Sequence, residues 1–428
     1  MRALVVFLAP VWLLAPPALL AQPARDTCVE CHMAMDGDLQ KPALLIKGDV
    51  HTASGLSCAD CHGGDRFSDD PTVAMSKAKG FIGKPQRTAI PQLCAKCHSS
   101  PEFMRRYRPQ QRVDQLELYK TSVHGKKLAA GDETVATCID CHSVHDIRAV
   151  KDNQSPVYPL RLPDTCGRCH ADAAKMAKYK IPTNQLAEYK TSVHWAALSK
   201  RSDLSAPNCA SCHGNHGAKP PEVESVSAVC GNCHVLFAQM YEKSVHQPIF
   251  SAASGGGGCI VCHSNHGIHQ PSVAMLQGDK AVCTGCHEAG SAGAKVAGEM
   301  AGLLNGLDTA LTRSESTLTQ ADKSGMEVSE AQVKLLDGKE DLVKARLMMH
   351  SFRIEDMRKP VDAGMGVAAE TLRAGQAALH DKDVRRIGLA VSVFFISITV
   401  VAIWLLLRRQ ESDGSGYIEA QASQITKE

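Results

Sequence analysis

Aromatic side chains are scarce here: Phe, Trp and Tyr make up only 4% of the 428 residues. A chain of this length has room for two or three domains, yet so few rings leave little with which to fill large cores. Either the cores are poor or something other than protein supplies the bulk. A charge bias is also missing. Lys and Arg number 47 against 45 Asp and Glu, a formal net charge of +2. No basic run offers a surface for phosphates, so nothing points to nucleic acid. Nor is there a cysteine outside one recurring pattern, which leaves none for the disulfide framework expected of an exported chain.

What is present starts with apolar ends. Residues 1–21, MRALVVFLAPVWLLAPPALLA, carry one early Arg, an apolar middle and a small residue before Gln22. That pattern predicts a secretory signal cleaved near Ala21, although Leu19 takes a place where a small residue is usual. Pro10, Pro16 and Pro17 argue against a spanning helix there. At the other end, Ile387 to Leu407 is 21 residues without a charge, and a bilayer core about 30 Å thick needs about 20 helical residues. Arg385 and Arg386 flank one side and Arg408 and Arg409 the other, so the positive-inside rule gives no orientation. The signal does: it places residues 22–386 outside the cytoplasm and 408–428 inside. The expectation is a bacterial inner (cytoplasmic) membrane protein with one C-terminal span and its main domain on the periplasmic side.

All 18 cysteines fall in nine Cys-x-x-Cys-His pentads. They are Cys28, Cys31 and His32; Cys58, Cys61 and His62; Cys94, Cys97 and His98; Cys138, Cys141 and His142; and Cys166, Cys169 and His170. Four more follow: Cys209, Cys212 and His213; Cys230, Cys233 and His234; Cys259, Cys262 and His263; and Cys283, Cys286 and His287. One such pentad could be half a zinc site or a redox dithiol. Zinc ribbons need no histidine after each second cysteine, and redox pairs do not come in nines. Two thiols that add to the haem vinyl groups, with a histidine beside them as proximal iron ligand, account for the spacing. The expectation is nine covalent haem c groups, attached outside the cytoplasm. Porphyrins also answer the shortage of aromatics, since they bring large apolar faces, and their propionates turn the surface acidic. The fold class that follows is mainly α with extensive loops, built around haem.

The chain has 19 histidines, so ten lie outside the pentads: His51, His124, His145, His194, His216, His246, His266, His269, His350 and His380. Nine bis-histidine irons would need nine of them. Internal repetition sorts these residues. YKTSVH ends at His124 and again at His194, YEKSVH ends at His246, and GDVH at His51 is a looser copy. Three pentads continue as His-x-x-His, to His145, His216 and His266, and each is followed by a pentad without that extension. A histidine three residues after a proximal one cannot reach the other face of the same iron, so it is expected to serve a neighbouring haem. His269 aligns with Arg148 and Lys219 in the related segments, which makes it the surplus histidine.

These pentads, SVH segments and CHxxH extensions resemble the multihaem c-type cytochromes of the periplasm: the cytochrome c3-like, octahaem and NapC/NirT-related group. The resemblance covers residues 28–287. It implies closely packed bis-histidine haems that pass electrons between membrane quinol chemistry and outer acceptors. NapC/NirT proteins carry an N-terminal anchor, whereas the span here is C-terminal. A separate quinol-linked integral membrane subunit is therefore expected as one partner, with periplasmic or outer-membrane redox proteins as the other.

After Glu288 the composition turns to helix formers. Leu303, Leu307 and Leu311 recur at helical spacing, as do Val333, Leu336, Val343 and Leu347. KSGM at 323–326 reads as the turn of a helical hairpin, Pro360 as a break, and 361–383 as a helix running on into the span. The domain plan is a signal at 1–21, a nonahaem domain at 22–288, a helical stalk at 289–386, the span at 387–407 and a tail at 408–428. His350, on the second hairpin helix, is expected to serve the last haem, at His287. His380 is open to three readings: a haem ligand near the membrane, a member of a polar cluster with Lys382 and Asp383, or a solvated residue. The pentad of His62 lacks a CHxxH extension, so its distal ligand must come from elsewhere, His380 or Met33 and Met35 among the candidates. Since all nine pentads end in His, the expected function is electron transfer. The alternative is a reductase of nitrite, hydroxylamine or a sulfur oxyanion, acting at one open-sided haem.

Overall fold

The computed structural model describes residues 25–221, 226–252 and 258–425; the signal sequence expected at 1–21 lies outside them. The chain is mostly helical, and among the described residues there is no strand. It divides into two compact units, one comprising residues up to Pro220 together with His266–Ile268, the other Pro221–Asn265 and His269 onward.

The first unit is a series of very short helices, and its repeat has a structural counterpart. The pentads Cys58–His62, Cys138–His142 and Cys209–His213 each form a five-residue helix that starts on a capping box. The residue before the first cysteine (Ser57, Thr137 or Asn208) caps the third residue of the pentad, and Asp60, Asp140 or Ser211 bonds back. Two otherwise orphaned helix donors are thereby satisfied within a few residues. The intervening pentads end longer helices instead, Ile90–His98 and Leu162–His170, each with a proline in its first turn, where the missing N–H costs nothing.

The YKTSVH segment can be explained residue by residue. Tyr119 and Tyr189 donate to Ala136 O and Pro207 O, at 2.8 and 2.9 Å, and so hold the chain just before the next capped pentad. Ser122 and Ser192 are buried caps that accept from Gly125 N and Trp195 N. The valine N–H reaches across to the loop after a CHxxH: Val123 N to Ala218 O, Val193 N to Ile268 O, and in the looser copy Val50 N to Ile147 O. Three of the four copies thus dock their helix on a CHxxH loop far along the chain.

The second unit contains three long helices, Ala292–Lys323, Ser329–Met348 and Ile354–Ile425. Ser324 and Gly325 (φ +78°) make the expected hairpin turn. Met300, Leu304, Leu307, Leu311, Leu318, Leu335, Leu342, Met357 and Val361 form one buried core. Ser314 and Thr371 share a buried hydroxyl hydrogen bond of 2.7 Å within the unit. Pro360 does not break the third helix, which runs on from Ile354 through the apolar stretch. The proline falls in the second helical turn, where it forfeits one backbone bond near an end already short of partners.

From Ile387 to Leu407 the apolar side chains of that helix are exposed, and the helix is long and apolar enough to cross a membrane. Its hydroxyls are satisfied internally: Ser392, Ser397 and Thr399 donate to the carbonyls four residues back. That is how polar side chains are tolerated in lipid. The Arg408 guanidinium lies 4.6 Å from the Trp404 ring centre, an arrangement suited to an interface.

Candidate functional site

Among the described residues, seven pentad histidines are seen to face another histidine ring at nearly one distance. The pairs His51–His98, His62–His145 and His246–His287 stand 6.0 Å apart between ring centres. His124–His170, His142–His216 and His213–His266 stand 6.1 Å apart, and His263–His350 6.2 Å. Ring pairs packed for their own sake scatter over roughly 4.5–7 Å, whereas these share nearly one separation. An iron bonded to both rings needs about 2 Å to each nitrogen plus about 1 Å from nitrogen to ring centre on either side, about 6 Å in all. The residues therefore fit an iron porphyrin held on both faces.

Ring orientation separates the pairs into two kinds. Where the partner comes from a CHxxH segment, and also where it is His350, the planes are close to parallel, at 25°, 15°, 16° and 16°. Where it comes from an SVH or GDVH segment the planes are steeply crossed, at 82°, 61° and 81°. The alternation seen in the pentad helices thus extends to the second ligand.

The pairing is regular. A crossed pair joins an SVH histidine to the second pentad that follows it. A parallel pair joins a capped pentad to the next CHxxH segment along the chain: His62 to His145, His142 to His216, His213 to His266. A chain reversal permits this. The residue after the pentad histidine has positive φ at Gly63, Ser143, Gly214 and Ser264, between 64° and 78°, and sends the next histidine away from its own pentad. Glycine reaches such a conformation at little cost, whereas serine is strained in it.

Two expectations change. His145 faces His62, so neither His380 nor a methionine is needed at that pentad. His350 faces His263 and not His287, because His246 already occupies the place opposite His287. The pentad of His263 has no later CHxxH to draw on, and a hairpin residue, His350, takes the role. His380 is exposed on the third helix, and His269 is exposed as well; among the described residues no imidazole faces either of them. None faces His32 either, whose Nδ1 bonds Leu39 O at 2.8 Å.

Burial lowers the pKa of His98, His124, His145, His170, His216, His246, His263, His266 and His350, and that of His142 to about 4. Imidazole must be neutral to bind a metal. In several cases Nδ1 bonds a backbone carbonyl: His62 to Gly83 O at 2.8 Å, His213 to Lys219 O at 3.2 Å, His350 to Arg346 O at 3.0 Å. Such a bond fixes the tautomer and leaves Nε2 free to coordinate.

The thiols place consecutive motifs side by side. Cys94 hydrogen-bonds Cys138, and Cys166 hydrogen-bonds Cys209. Cys28 feels Cys58, Cys61 feels Cys94 and Cys97, Cys141 feels Cys169, and Cys262 feels Cys283 and Cys286. Burial pushes the Cys28 thiol up to about 12 and Cys58 to about 11. Among the described residues no three His, Cys, Asp or Glu side chains converge as a bare metal ion requires.

Comparison with known families agrees. The cytochrome c3 family matches residues 50–171, the family of doubled CXXCH motifs matches 251–292, and the family of cytochrome c554 and c-prime matches 19–63. The chain is a multihaem c-type cytochrome. Its CxxCH motifs carry covalently bound c-type haem. No curated protein and no solved structure shows significant similarity to this cytochrome. The first match takes in four successive pentads and contains three of the pairs in full, His51–His98, His62–His145 and His124–His170.

Proposed function

We propose that this cytochrome is a membrane-anchored nonahaem electron carrier. It exchanges electrons with a quinol-linked membrane partner and delivers them to, or collects them from, periplasmic or outer-membrane redox proteins. The observation that carries the reading is the set of facing imidazoles. Haem iron supplies one-electron chemistry when bound. At seven pentads the facing imidazoles would hold the iron from both sides, which would leave no side for a substrate. Hydrogen bonds at Nδ1 orient the rings, and within each unit neighbouring motifs adjoin, which suits electron exchange between them. By its place in the repeat His194 has the same distal role. The apolar helix serves as anchor; with no histidine between Ile387 and Leu407 it cannot hold a haem of its own, which is why a separate quinol-linked subunit is included.

Low-temperature EPR of the oxidised protein, with spin quantitation and iron analysis, tests this. Nine haems are expected, nearly all low-spin, in two classes that reflect the parallel and crossed ligand planes. Mainly high-spin iron would refute the reading. One observation favours a second function: among the described residues no histidine faces His32, so the first haem has room for an exogenous ligand. A reductase acting there would show about one high-spin haem in nine that binds carbon monoxide when reduced.

A further inference from the structure

The looser GDVH copy differs from its three sisters at one position. Where they have Ser122, Ser192 and Ser244, two residues before the histidine, it has Asp49. The Asp49 side chain is only 5% exposed and its Oδ1 lies 2.9 Å from His51 Nδ1. Oδ1 also accepts from His51 N at 2.8 Å, and Oδ2 accepts from Ile147 N at 2.7 Å. Ile147 belongs to the loop that presents His145, so one buried carboxylate braces the second ligands of two adjacent pentads, His51 opposite His98 and His145 opposite His62. Gly48 lets that loop come close, since a Cβ there would meet Arg148 and Asp146 at 2.9 Å.

The sister site at His246 has nothing comparable. His246 Nδ1 is buried without a partner, and so is the Ser244 hydroxyl. Elsewhere Nδ1 meets a neutral backbone carbonyl, as at His350 and His62. His51 Nδ1 is in hydrogen-bond contact with a buried carboxylate; His266 Nδ1 also faces one, Glu188 Oε2, but at 3.8 Å and with the glutamate side chain 42% exposed.

We infer that Asp49 is a potential-setting residue that holds the haem of Cys94, Cys97 and His98 at a lower reduction potential than its sisters in the repeat. The inference rests on the bis-histidine reading above. A carboxylate that accepts the Nδ1 proton makes the imidazole a stronger donor, and this favours the oxidised metal. A buried negative charge close by acts in the same direction, because the oxidised iron carries one more positive charge and low dielectric leaves the attraction poorly screened. The haem of His62 feels the charge through space only, so its shift is smaller. The serine sisters supply neither contribution.

Asp49→Asn in the full-length holoprotein is the test. Asparagine keeps the shape and one acceptor oxygen, so it removes the charge together with one of the two backbone bonds, and the low-spin EPR signals report whether the loop stays in place. Spectropotentiometric titration should show one haem whose reduction equilibrium moves at least tenfold toward the reduced form, 59 mV for a one-electron couple. A crossed-plane low-spin EPR signal should shift with it, and haem content should be unchanged. A titration curve that superimposes on the wild type, with low-spin signals intact, overturns the inference. The reciprocal Ser244→Asp gives the buried Nδ1 of His246 its missing partner and should lower one potential; no change there overturns the inference even where the first variant loses haem. His51→Ala tests the underlying reading separately. If no iron turns high-spin in that variant, His51 is not a ligand and the bis-histidine assignment fails at this site, whatever the potentials do.

Discussion

The short helices around the pentads and the three long helices after them solve the burial problem in opposite ways. The long helices bury a continuous set of Leu, Met and Val side chains against each other, and the hydrophobic effect of that protein-only core suffices to hold them. The pentad region has scattered buried residues such as Ile90, Met104, Leu128 and Leu198, in helices mostly too short to persist by themselves. It is organised by spaces about 6 Å wide between imidazoles. The contrast teaches that the scarcity of aromatics is regional: one part of the chain has its own core, and the other leaves that role to covalently attached haem.

The sharpest way to break this contrast is to deny haem attachment. In a host without the attachment machinery, the pentad region should lose all ordered structure, becoming freely susceptible to proteolysis, while fragments from the 292–386 region remain protected and helical by circular dichroism. Equal sensitivity of both regions would abolish the distinction. Next in size is Leu307→Ala, which empties the most enclosed part of the helical core. It should cost about 2–5 kcal/mol in chemical denaturation monitored by helix signal, with the spectrum of haems in the other unit unchanged.

A narrower change links the hairpin to a pentad. His350→Ala should convert a single iron, that of Cys259, Cys262 and His263, from low-spin to high-spin, read by EPR spin counting, and leave helix content as it was. A high-spin signal that persists after His263→Met in the same background would place the lost ligand elsewhere. The smallest expected effect is a pH dependence on the pentad side. Hydrogen bonds from the Tyr179 and Thr134 hydroxyls and from Lys178 hold the Asp132 carboxyl well below the usual carboxylate range. A depressed folded-state pKa means that the unfolded chain binds the proton more readily. The stabilisation is therefore present above the ordinary carboxylate pKa, about 4, and fades as pH falls below it. Asp132→Asn should flatten the acid limb of the stability profile and barely change stability at the most acidic pH.

Much of this was readable from residues alone. The pentads announce the cofactor, Ser324 and Gly325 announce the hairpin, and 21 uncharged residues from Ile387 announce the span. Pro360 misleads, because a proline close to a helix start removes one bond in a region that packing against the other long helices supports. The distal ligands were readable as a set and not as pairs. His62 and its partner His145 are 83 positions apart in the chain, and the need for a ligand says nothing about which loop supplies it.

The sequence by itself determined the covalent chemistry, because two thiols and the proximal imidazole lie within five residues, inside one helical turn and a half, and no folding is needed to bring them together. It also determined that an apolar helix would follow. Only the tertiary structure decided which histidine faces which, whether two rings lie parallel or crossed, and that Asp49 braces two distal ligands at once. Those depend on loops docking across the chain through backbone bonds such as Val50 N to Ile147 O. Such bonds use groups that every residue carries, so no residue identity could have foretold them.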